Sequence, residues 1–186
     1  MVVVRVADDD MTFDRQPRLR GELVELRPLA AADFDALYAI ASSPVVWEQH
    51  PSKDRTQETV FREWLSEALE SGGALTAIDI ADGSVIGSSR YHGYDEDRSE
   101  IEIGWTFLAP SYWGGTYNGE MKRLMLDHAF RFVKTVIFEI HSDNIRSQRA
   151  VEKLGAVRIR SQQDKLGRGL NYVFEIDAKA FTRSAK

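Results

Sequence analysis

The feature that most constrains the fold is a strictly alternating segment followed by a glycine-rich loop and a helical pattern. From Glu100 to Leu108, apolar side chains alternate with polar or small ones, which is the period of a β-strand with one buried face. Pro110 ends this strand. From Glu120 to Val133, apolar residues lie along one helical stripe. The segment therefore predicts a strand, a loop and a helix in direct succession.

The rest of the chain adds strands before this unit and a similar strand and helix after it. Further strands are predicted at 22–29, 74–80, 84–91, 136–140, 157–160 and 171–176, and further helices around 34–40, 56–70 and 144–154. We expect Asp33 and Asn144 to be helix N-caps, Gly155 to follow a helix end, and Asp82-Gly83 to form a hairpin turn. Strands in a meander followed by a strand–helix–strand crossover predict an α/β fold, a mixed sheet with helices on both faces.

Length and composition are typical of one globular domain. The chain has 186 residues, of which 43% are hydrophobic, enough to bury a sizeable core. Residues 1–18 are charged, contain proline and show no clear period, so we expect an N-terminal arm outside the main core and a single domain from 19 to 186. With no cysteine, a disulfide, a thiolate nucleophile and a zinc site built on sulfur are excluded.

The charge and hydropathy patterns restrict the partners. The net charge is −5, whereas a nucleic-acid-binding protein normally carries a basic face. The opening residues have only three consecutive valines before an arginine and three aspartates, too little for the apolar core of a secretory signal. No stretch approaches the roughly 18 apolar residues of a membrane span. We therefore expect a cytoplasmic protein that binds neither nucleic acid nor a membrane.

The loop between the alternating strand and its helix is the most informative segment for chemistry. It reads Ser-Tyr-Trp-Gly-Gly-Thr-Tyr-Asn-Gly-Glu from Ser111 to Glu120. Small residues let a ligand approach the backbone, and a helix start offers unpaired N–H groups to an anion such as a pyrophosphate. The alternative is a turn that only connects two elements. The spacing matches neither a Walker A loop nor a Rossmann fingerprint.

Three segments together resemble the GNAT N-acetyltransferases, in particular the RimJ/RimL-like branch that acetylates ribosomal-protein N-termini. They are the strand Glu102-Ile103-Gly104-Trp105, the loop Tyr112–Tyr117 with Glu120 after it, and the helix from Asn144-Ile145-Arg146-Ser147 to Glu152-Lys153-Leu154-Gly155-Ala156. The resemblance covers roughly residues 19 to 180. It implies a central, mostly antiparallel sheet with helices on both faces, and acetyl-CoA as the co-substrate without a metal.

In that family, backbone amides of the loop hold the cofactor pyrophosphate. The resemblance assigns this role to seven consecutive residues, Trp113, Gly114, Gly115, Thr116, Tyr117, Asn118 and Gly119. The chain departs from the family pattern at two positions. Ser111 replaces a basic or amide residue, and Thr116 stands where a second small residue is expected.

The implied reaction is direct attack of a neutral primary amine on the thioester carbonyl in a ternary complex. The amine must lose a proton, the oxyanion must be stabilised and the thiolate must gain a proton. For the first role we consider Glu102, directly or through a water, although a strand glutamate that only faces solvent, like Glu100, explains it equally well. A backbone N–H near Phe107 or Leu108 serves the oxyanion.

The thiolate acid departs from the commonest family pattern. Many GNAT enzymes place a tyrosine where this chain has Val151. The resembled branch carries instead a serine three residues after the helix asparagine, which corresponds to Ser147. Ser147 is therefore the predicted donor to the thiolate, and Asn144 a contact to the cofactor arm. Helix capping alone is the alternative explanation, and it accounts for Asn144 better than for Ser147.

The histidines and the early aromatic residues have simpler interpretations. His50, His92, His128 and His141 lack the spacing of a metal site. His128 falls on an apolar stripe and is predicted to be a core histidine with one satisfied partner, while His141 ranks behind Glu102 as a base. Most of the early aromatics, Trp47, Trp64 and Tyr38, are predicted to be core, although the family's early helices line the acceptor pocket.

Three classes of function remain open. The favoured one is an enzyme that acetylates a protein N-terminus or a small-molecule amine, and a homodimer is common among its relatives. The second is a non-catalytic domain of the same fold that binds acyl-CoA or another ligand. The third is a protein-interaction module. Fold alone does not separate them, because function lies in the site.

Overall fold

The computed structural model describes residues 12–164 and 167–184. Its strands are β1 Leu19–Arg20, β2 Val24–Pro28, β3 Ala74–Asp79, β4 Val85–Asp95, β5 Glu100–Leu108, β6 Thr135–His141, β7 Val157–Gln163 and β8 Leu170–Asp177. Its α-helices are α1 Phe34–Ala41, α2 Glu58–Glu70, α3 Thr116–Ala129, α4 Ile145–Glu152 and α5 Ala178–Ser184. The predicted elements are all found. The short β1 and the terminal α5 were not predicted. The sequence also indicates a turn at Leu166-Gly167-Arg168-Gly169 between the last two strands, and Leu166 lies outside the described residues.

The eight described strands form one sheet in the order β1-β2-β3-β4-β5-β6-β8-β7. All neighbours are antiparallel except β5 and β6, which are parallel. Two parallel neighbours need a crossover connection, and α3 supplies it, whereas β3 and β4 are joined directly by a hairpin. The predicted α/β class, with a mixed and mostly antiparallel sheet, is confirmed.

Two apolar clusters of buried residues support the sheet. One contains the inner face of α3 together with residues of β2 to β6, including Met121, Met125 and Phe138. The other contains α1 and α2, and its members include Phe61, Trp64 and Phe107. Side chains of β5 enter both clusters because successive residues of a strand point to opposite faces. The helices therefore cover both faces of the sheet, as predicted.

Two predicted caps behave differently. The side chain of Asn144 accepts the Ser147 N–H at 3.2 Å, so this asparagine is the N-cap of α4. Asp33 does not cap α1 with its side chain. Its carboxylate instead accepts two hydrogen bonds from Arg27, at 2.8 and 2.5 Å, and one from Thr76 at 2.7 Å. Burial acts to raise the pKa of Asp33, but these bonds more than offset it and the pKa is lowered.

Two boundaries also differ from expectation. Helix α3 begins at Thr116 rather than at Glu120, since Gly119 and the polar residues before it tolerate helical backbone even though they lack an apolar period. Phe13, placed by the sequence in an outlying arm, is only 7% exposed and packs against Tyr91 at a centroid distance of 5.2 Å. A single aromatic ring buries enough apolar area to anchor a segment without periodicity.

The described part of the chain contains no helix that is both long and apolar enough to cross a membrane.

Candidate active site

A cleft opens in the sheet where β5 and β6 separate. The two strands are paired only over three residues each, Glu100 to Glu102 and Thr135 to Ile137. Beyond this point β5 continues to Leu108 and β6 to His141 without pairing to each other. Each strand thus leaves one backbone edge unpaired, and such an edge can hydrogen-bond an extended ligand.

A bulge in β5 lies at this opening. Trp105 has a φ of 51°, and the register between β4 and β5 shifts between Ser88 and Arg90. A tryptophan in the left-handed region is strained, and bulges of this kind re-aim strands next to functional sites.

The two predicted oxyanion donors face opposite sides of β5. Ala109 donates its N–H to Ile86 O at 2.9 Å, so the adjacent pair of Leu108 and Gly87 exchanges no ladder hydrogen bonds. The N–H of Leu108 therefore points away from β4, toward the cleft, whereas the N–H of Phe107 points to β4. Leu108 is the one of the two whose N–H faces a ligand in the cleft.

The glycine-rich loop forms an uncapped N-terminus for α3. The N-cap is Gly115, which has no side chain to cap the helix. Within the described part of the chain, the N–H groups from Gly114 to Asn118 have no hydrogen-bond partner. A methyl group built on Gly114 or Gly119 meets no atom within 4 Å, so the backbone is open to a ligand there. A 14-residue helix with free amides attracts an anion, which fits a pyrophosphate.

Side chains hold the loop in place from behind. Trp113 Nε1 donates to Leu108 O at 2.8 Å, and the hydroxyls of Tyr112 and Tyr117 donate to Asp79 Oδ2 at 3.1 and 3.2 Å. For both tyrosines burial raises the pKa, with Asp79 adding to the effect. Among the predicted cofactor residues, Trp113 and Tyr117 thus use their side chains to position the loop. The backbone N–H of Trp113 donates to Pro110 O at 3.1 Å, so of these two residues only Tyr117 has a backbone N–H left for a ligand.

Glu120 fastens α3 to the start of β2. Its carboxylate accepts the backbone N–H groups of Glu22, Leu23 and Val24 at 2.8, 2.8 and 2.6 Å. The sequence gives no sign of this contact because the partners lie about 100 residues away along the chain. The ionised carboxylate satisfies three donors at once, and this fixes the direction of the helix that carries the loop.

Lys122 was not predicted to be buried. It is 5% exposed, and its Nζ donates to Ser89 Oγ at 3.1 Å and to Thr106 Oγ1 at 2.5 Å. Burial lowers the pKa of Lys122 from 10.5 to about 7, and the charge of Glu102 opposes this. The lysine ties α3 to β4 and to the unpaired part of β5. Its place on the apolar stripe, four residues before Leu126, is the sequence signal that indicates burial.

Glu102 is the last residue of β5 that pairs with β6, so it lies at the apex of the cleft. It pairs with His92 across β4 and is half-buried. Its Oε1 lies 3.1 Å from the position of a Cβ on Gly104, two residues further along the same face. The predicted base therefore lies where the two strands begin to separate.

Ser147 occupies the first turn of α4, and its backbone N–H is the group that Asn144 caps. Its side chain is half-buried, and its hydroxyl makes no hydrogen bond with any described residue. Helix capping therefore explains Asn144 but leaves the Ser147 hydroxyl available for a ligand. Val151, at the position of the common family tyrosine, is 4% exposed and belongs to the core.

The histidines have separate environments. His128 is 6% exposed with its Nε2 2.7 Å from Asp14 O, which confirms a core histidine with one partner. His141 has Arg168 O 3.3 Å from Nε2 and the Asp143 N–H 3.3 Å from Nδ1, so both ring nitrogens have partners. Burial, followed by the charges of Arg55 and Arg168, lowers the pKa of His50 to about 3. The described residues contain no group of three potential metal ligands.

The early aromatics are core residues, as predicted. Trp47 is 3% and Trp64 4% exposed, and both pack in the cluster of α1 and α2, against which half-buried Tyr38 also packs. Beside this cluster, a cleft of about 200 Å³ is lined by residues 48–51, Lys53, His141, Asp143 and Arg168. This cleft joins the loop before α2 to the end of β6, on the side where an acceptor can reach the separated strands.

Comparison with known proteins places the chain in a family. The model of the acetyltransferase (GNAT) domain matches residues 24–157. A GCN5-related N-acetyltransferase from Brucella melitensis is 23% identical, with a TM-score of 0.81 over 91% of this chain and 82% of that one. A putative acetyltransferase from T. thermophilus is 27% identical, with a TM-score of 0.74 over 90% and 95%. Mycobacterium smegmatis RimJ, in complex with CoA-disulfide, is 19% identical, with a TM-score of 0.64 over 87% and 88%.

The family match covers the separated strands, the uncapped loop and the whole of α4, the elements that form the site. At 19% identity the RimJ structure shares the fold and does not identify a branch. The chain belongs to the GNAT acetyltransferase family.

Proposed function

We propose that this protein transfers the acetyl group of acetyl-CoA to a primary amine by direct attack in a ternary complex. The observation that carries the proposal is the combination of unpaired β5 and β6 edges with the free amides from Gly114 to Asn118. These amides would hold the pyrophosphate, and the loop through Gly119 leaves room for it. Acetyl-CoA supplies a thioester carbonyl and a thiolate leaving group.

Three groups of the chain then serve the three chemical roles of the reaction. Glu102, at the apex of the cleft, accepts the proton of the attacking amine directly or through a water. The cleft-facing N–H of Leu108 stabilises negative charge on the carbonyl oxygen. The hydroxyl of Ser147, which has no hydrogen-bond partner among the described residues, donates a hydrogen bond that stabilises the departing thiolate, and Asn144 orients the turn that carries it.

The branch, the location, the acceptor and the oligomeric state are proposed from the resemblance of the sequence to the GNAT N-acetyltransferases. We place the protein in the RimJ/RimL-like branch and in the cytoplasm, with a protein N-terminus or a small-molecule amine as the acceptor. A homodimer is proposed as well, and the edge strand β7, where Val157 is 62% and Ile159 42% exposed, offers a surface for it. Light scattering after size exclusion measures the dimer directly.

The test of catalysis compares Glu102→Gln, Ser147→Ala and the control Glu100→Gln, which lies on the same strand two residues before Glu102. Acetyl transfer is measured across a panel of primary amines by thiol release. We expect Glu102→Gln to lower kcat/KM by about 10²-fold or more while Glu100→Gln retains it. Ser147→Ala should lower kcat with little change in cofactor affinity.

The same panel separates the alternative function. The buried Val151 in place of the common tyrosine favours, as a second candidate, a domain that binds acyl-CoA without turnover. Saturable cofactor binding together with no transfer to any amine would support that candidate and reject the enzyme. Equal rates for wild type and Glu102→Gln would remove Glu102 from the mechanism.

A further inference from the structure

Three buried hydrogen-bond donors on the face of the sheet covered by α1 and α2 lack an acceptor among the described residues. Arg90, on β4, is 5% exposed, and its Nε and Nη2 have no hydrogen-bond partner among the described residues. Trp64 Nε1 is likewise buried without a partner. The two side chains are neighbours, since Arg90 Cζ lies 5.8 Å from the Trp64 ring centroid and 4.9 Å from that of Trp105. Buried donors are rarely left unsatisfied in folded proteins.

A second guanidinium, that of Arg55, also has no hydrogen-bond or ion-pair partner among the described residues. Arg55 lies over the Trp47 ring at 5.2 Å. Burial and then the charges of Arg168 and Arg90 lower the pKa of Arg55 to about 10. Arg168, by contrast, is paired with Asp164 and donates to Ser52.

The carboxylates near the two arginines do not offset the lowering of the arginine pKa values by burial. The charge of Glu67 raises the pKa of both guanidiniums, that of Asp54 raises the pKa of Arg55, and that of Glu102 raises the pKa of Arg90. Among the described residues, neither Glu67 nor Asp54 forms a direct ion pair with either arginine, and Arg90 Nε and Nη2 have no hydrogen-bond acceptor. An uncompensated buried cation is costly, and an anion that accepts from Nε and Nη2 removes the cost.

The position of Arg90 relates this site to the proposed base. Arg90 pairs with Gly104 and His92 with Glu102 across β4 and β5, so Arg90 and Glu102 lie on the same face of the sheet. This is the face covered by α1 and α2. A molecule that presents its amine to Glu102 can therefore place a second group against Arg90.

We propose that Arg90, assisted by Arg55 and Trp64 Nε1, binds an anionic group on the acceptor, either a carboxylate or a phosphate. The acceptor is then a primary amine that carries its own negative charge rather than a simple alkyl amine. This inference rests on the proposed function for the amine, whereas the anion site itself is defined by the buried donors alone.

A binding measurement that needs no turnover tests the site. The chain has four tryptophans, and their indole N–H signals are followed in a ¹⁵N–¹H spectrum, with Trp64→Phe identifying one of them. The probes are matched pairs that differ in the anion: phenylalanine against phenethylamine, and phosphoethanolamine against ethanolamine. We expect the anionic member of one pair to shift the Trp64 signal and to bind at least tenfold more tightly than its neutral partner. The pair that responds identifies the carboxylate or the phosphate.

Three variants separate binding from structure. Arg90→Met and Arg55→Gln should lose the preference for the anionic probe, and the control Arg62→Gln, an exposed residue paired with Glu58, should keep it. Arg90→Met should also unfold at a higher urea concentration than wild type, since it removes an unpaired buried charge. A structural arginine predicts the opposite, a less stable variant with unchanged anion affinity.

The outcomes also distinguish this inference from the proposed function. If amines are acetylated equally with and without the anion, and Arg90→Met leaves the rates unchanged, the anion site is refuted while the transferase stands. If no amine is acetylated but the anions still shift the Trp64 signal in wild type and not in Arg90→Met, the anion site stands and the transferase is refuted. No shift with either anion refutes the site.

Discussion

The buried ammonium group of Lys122 leads to a quantitative prediction about stability and pH. Among the described residues, its Nζ has two hydrogen-bond partners, the hydroxyls of Ser89 and Thr106. Burial lowers its pKa from 10.5 to about 7, against the opposing charge of Glu102. In the unfolded chain the same group keeps the ordinary pKa of a lysine. Between pH 7 and 10 the unfolded state therefore binds more protons than the folded state, and the free energy of unfolding rises with pH.

The size of this effect follows from proton linkage. A difference of one bound proton changes the free energy of unfolding by about 1.4 kcal/mol per pH unit. At pH 7 about half of the folded molecules still carry the proton, so the contribution between pH 7 and pH 9 is about 2 kcal/mol. Below pH 7 both states are protonated, and the unfavourable burial of the charge is fully present.

Lys122→Met removes the titrating group and keeps a long apolar stem in the core. The hydroxyls of Ser89 and Thr106 lie 2.8 Å apart and can satisfy each other in the variant. Urea unfolding of both proteins at pH 7 and pH 9 should show wild type gaining about 2 kcal/mol more than Lys122→Met. All other titrations are common to the two proteins and cancel in this difference. If the free energies of unfolding of wild type and Lys122→Met change by the same amount from pH 7 to pH 9, the proposed linkage to Lys122 is refuted.

Two further predictions concern other buried polar groups. Glu120→Gln replaces one acceptor oxygen by an amide NH₂ in front of three backbone N–H groups, and should lower the free energy of unfolding in urea by about 3 kcal/mol, whereas exposed Glu63→Gln should change it little. The pKa of His50 is lowered from 6.5 to about 3 by burial and by neighbouring arginine charges, so the unfolded state takes up more protons between these pH values. Stability should fall with decreasing pH in that window, and His50→Asn, whose side-chain oxygen can still accept the Ser52 N–H, should flatten the fall; an unchanged slope would contradict this account.

The parts of the fold that depend on local chemistry were predictable from the sequence. The alternation from Glu100 to Leu108 matches the bounds of β5. The Asp82-Gly83 turn and the φ of 96° at Gly155 follow from the conformational freedom of glycine, and the Asn144 cap follows from its short side chain. Each of these depends on neighbours within a few residues.

The contacts that the sequence could not reveal join distant segments. The carboxylate of Asp33 bonds the half-buried Arg27 and the buried Thr76, 43 residues away along the chain, instead of capping its own helix. Phe13 enters the core from a segment without periodicity. Arg90 gave no signal, since one arginine in a strand pattern normally faces solvent. Only Lys122, on the apolar stripe of its helix, carried a local sign of its burial.

The binding of acetyl-CoA to the amides at the start of α3 is the central claim, and calorimetry with Thr116→Pro tests it most directly. Proline at this first helical position removes one N–H without disturbing the helix, and Gly115, with φ −113° and ψ −161°, is extended as a residue before proline must be. Thr116→Ala is the control, because it keeps the N–H.

We expect wild type and Thr116→Ala to bind acetyl-CoA at micromolar strength, about −8 kcal/mol. Thr116→Pro should bind about tenfold more weakly or worse, since a hydrogen bond to a charged phosphate is lost. Absence of heat from wild type up to millimolar acetyl-CoA, or equal affinity of Thr116→Pro and wild type, would contradict the account.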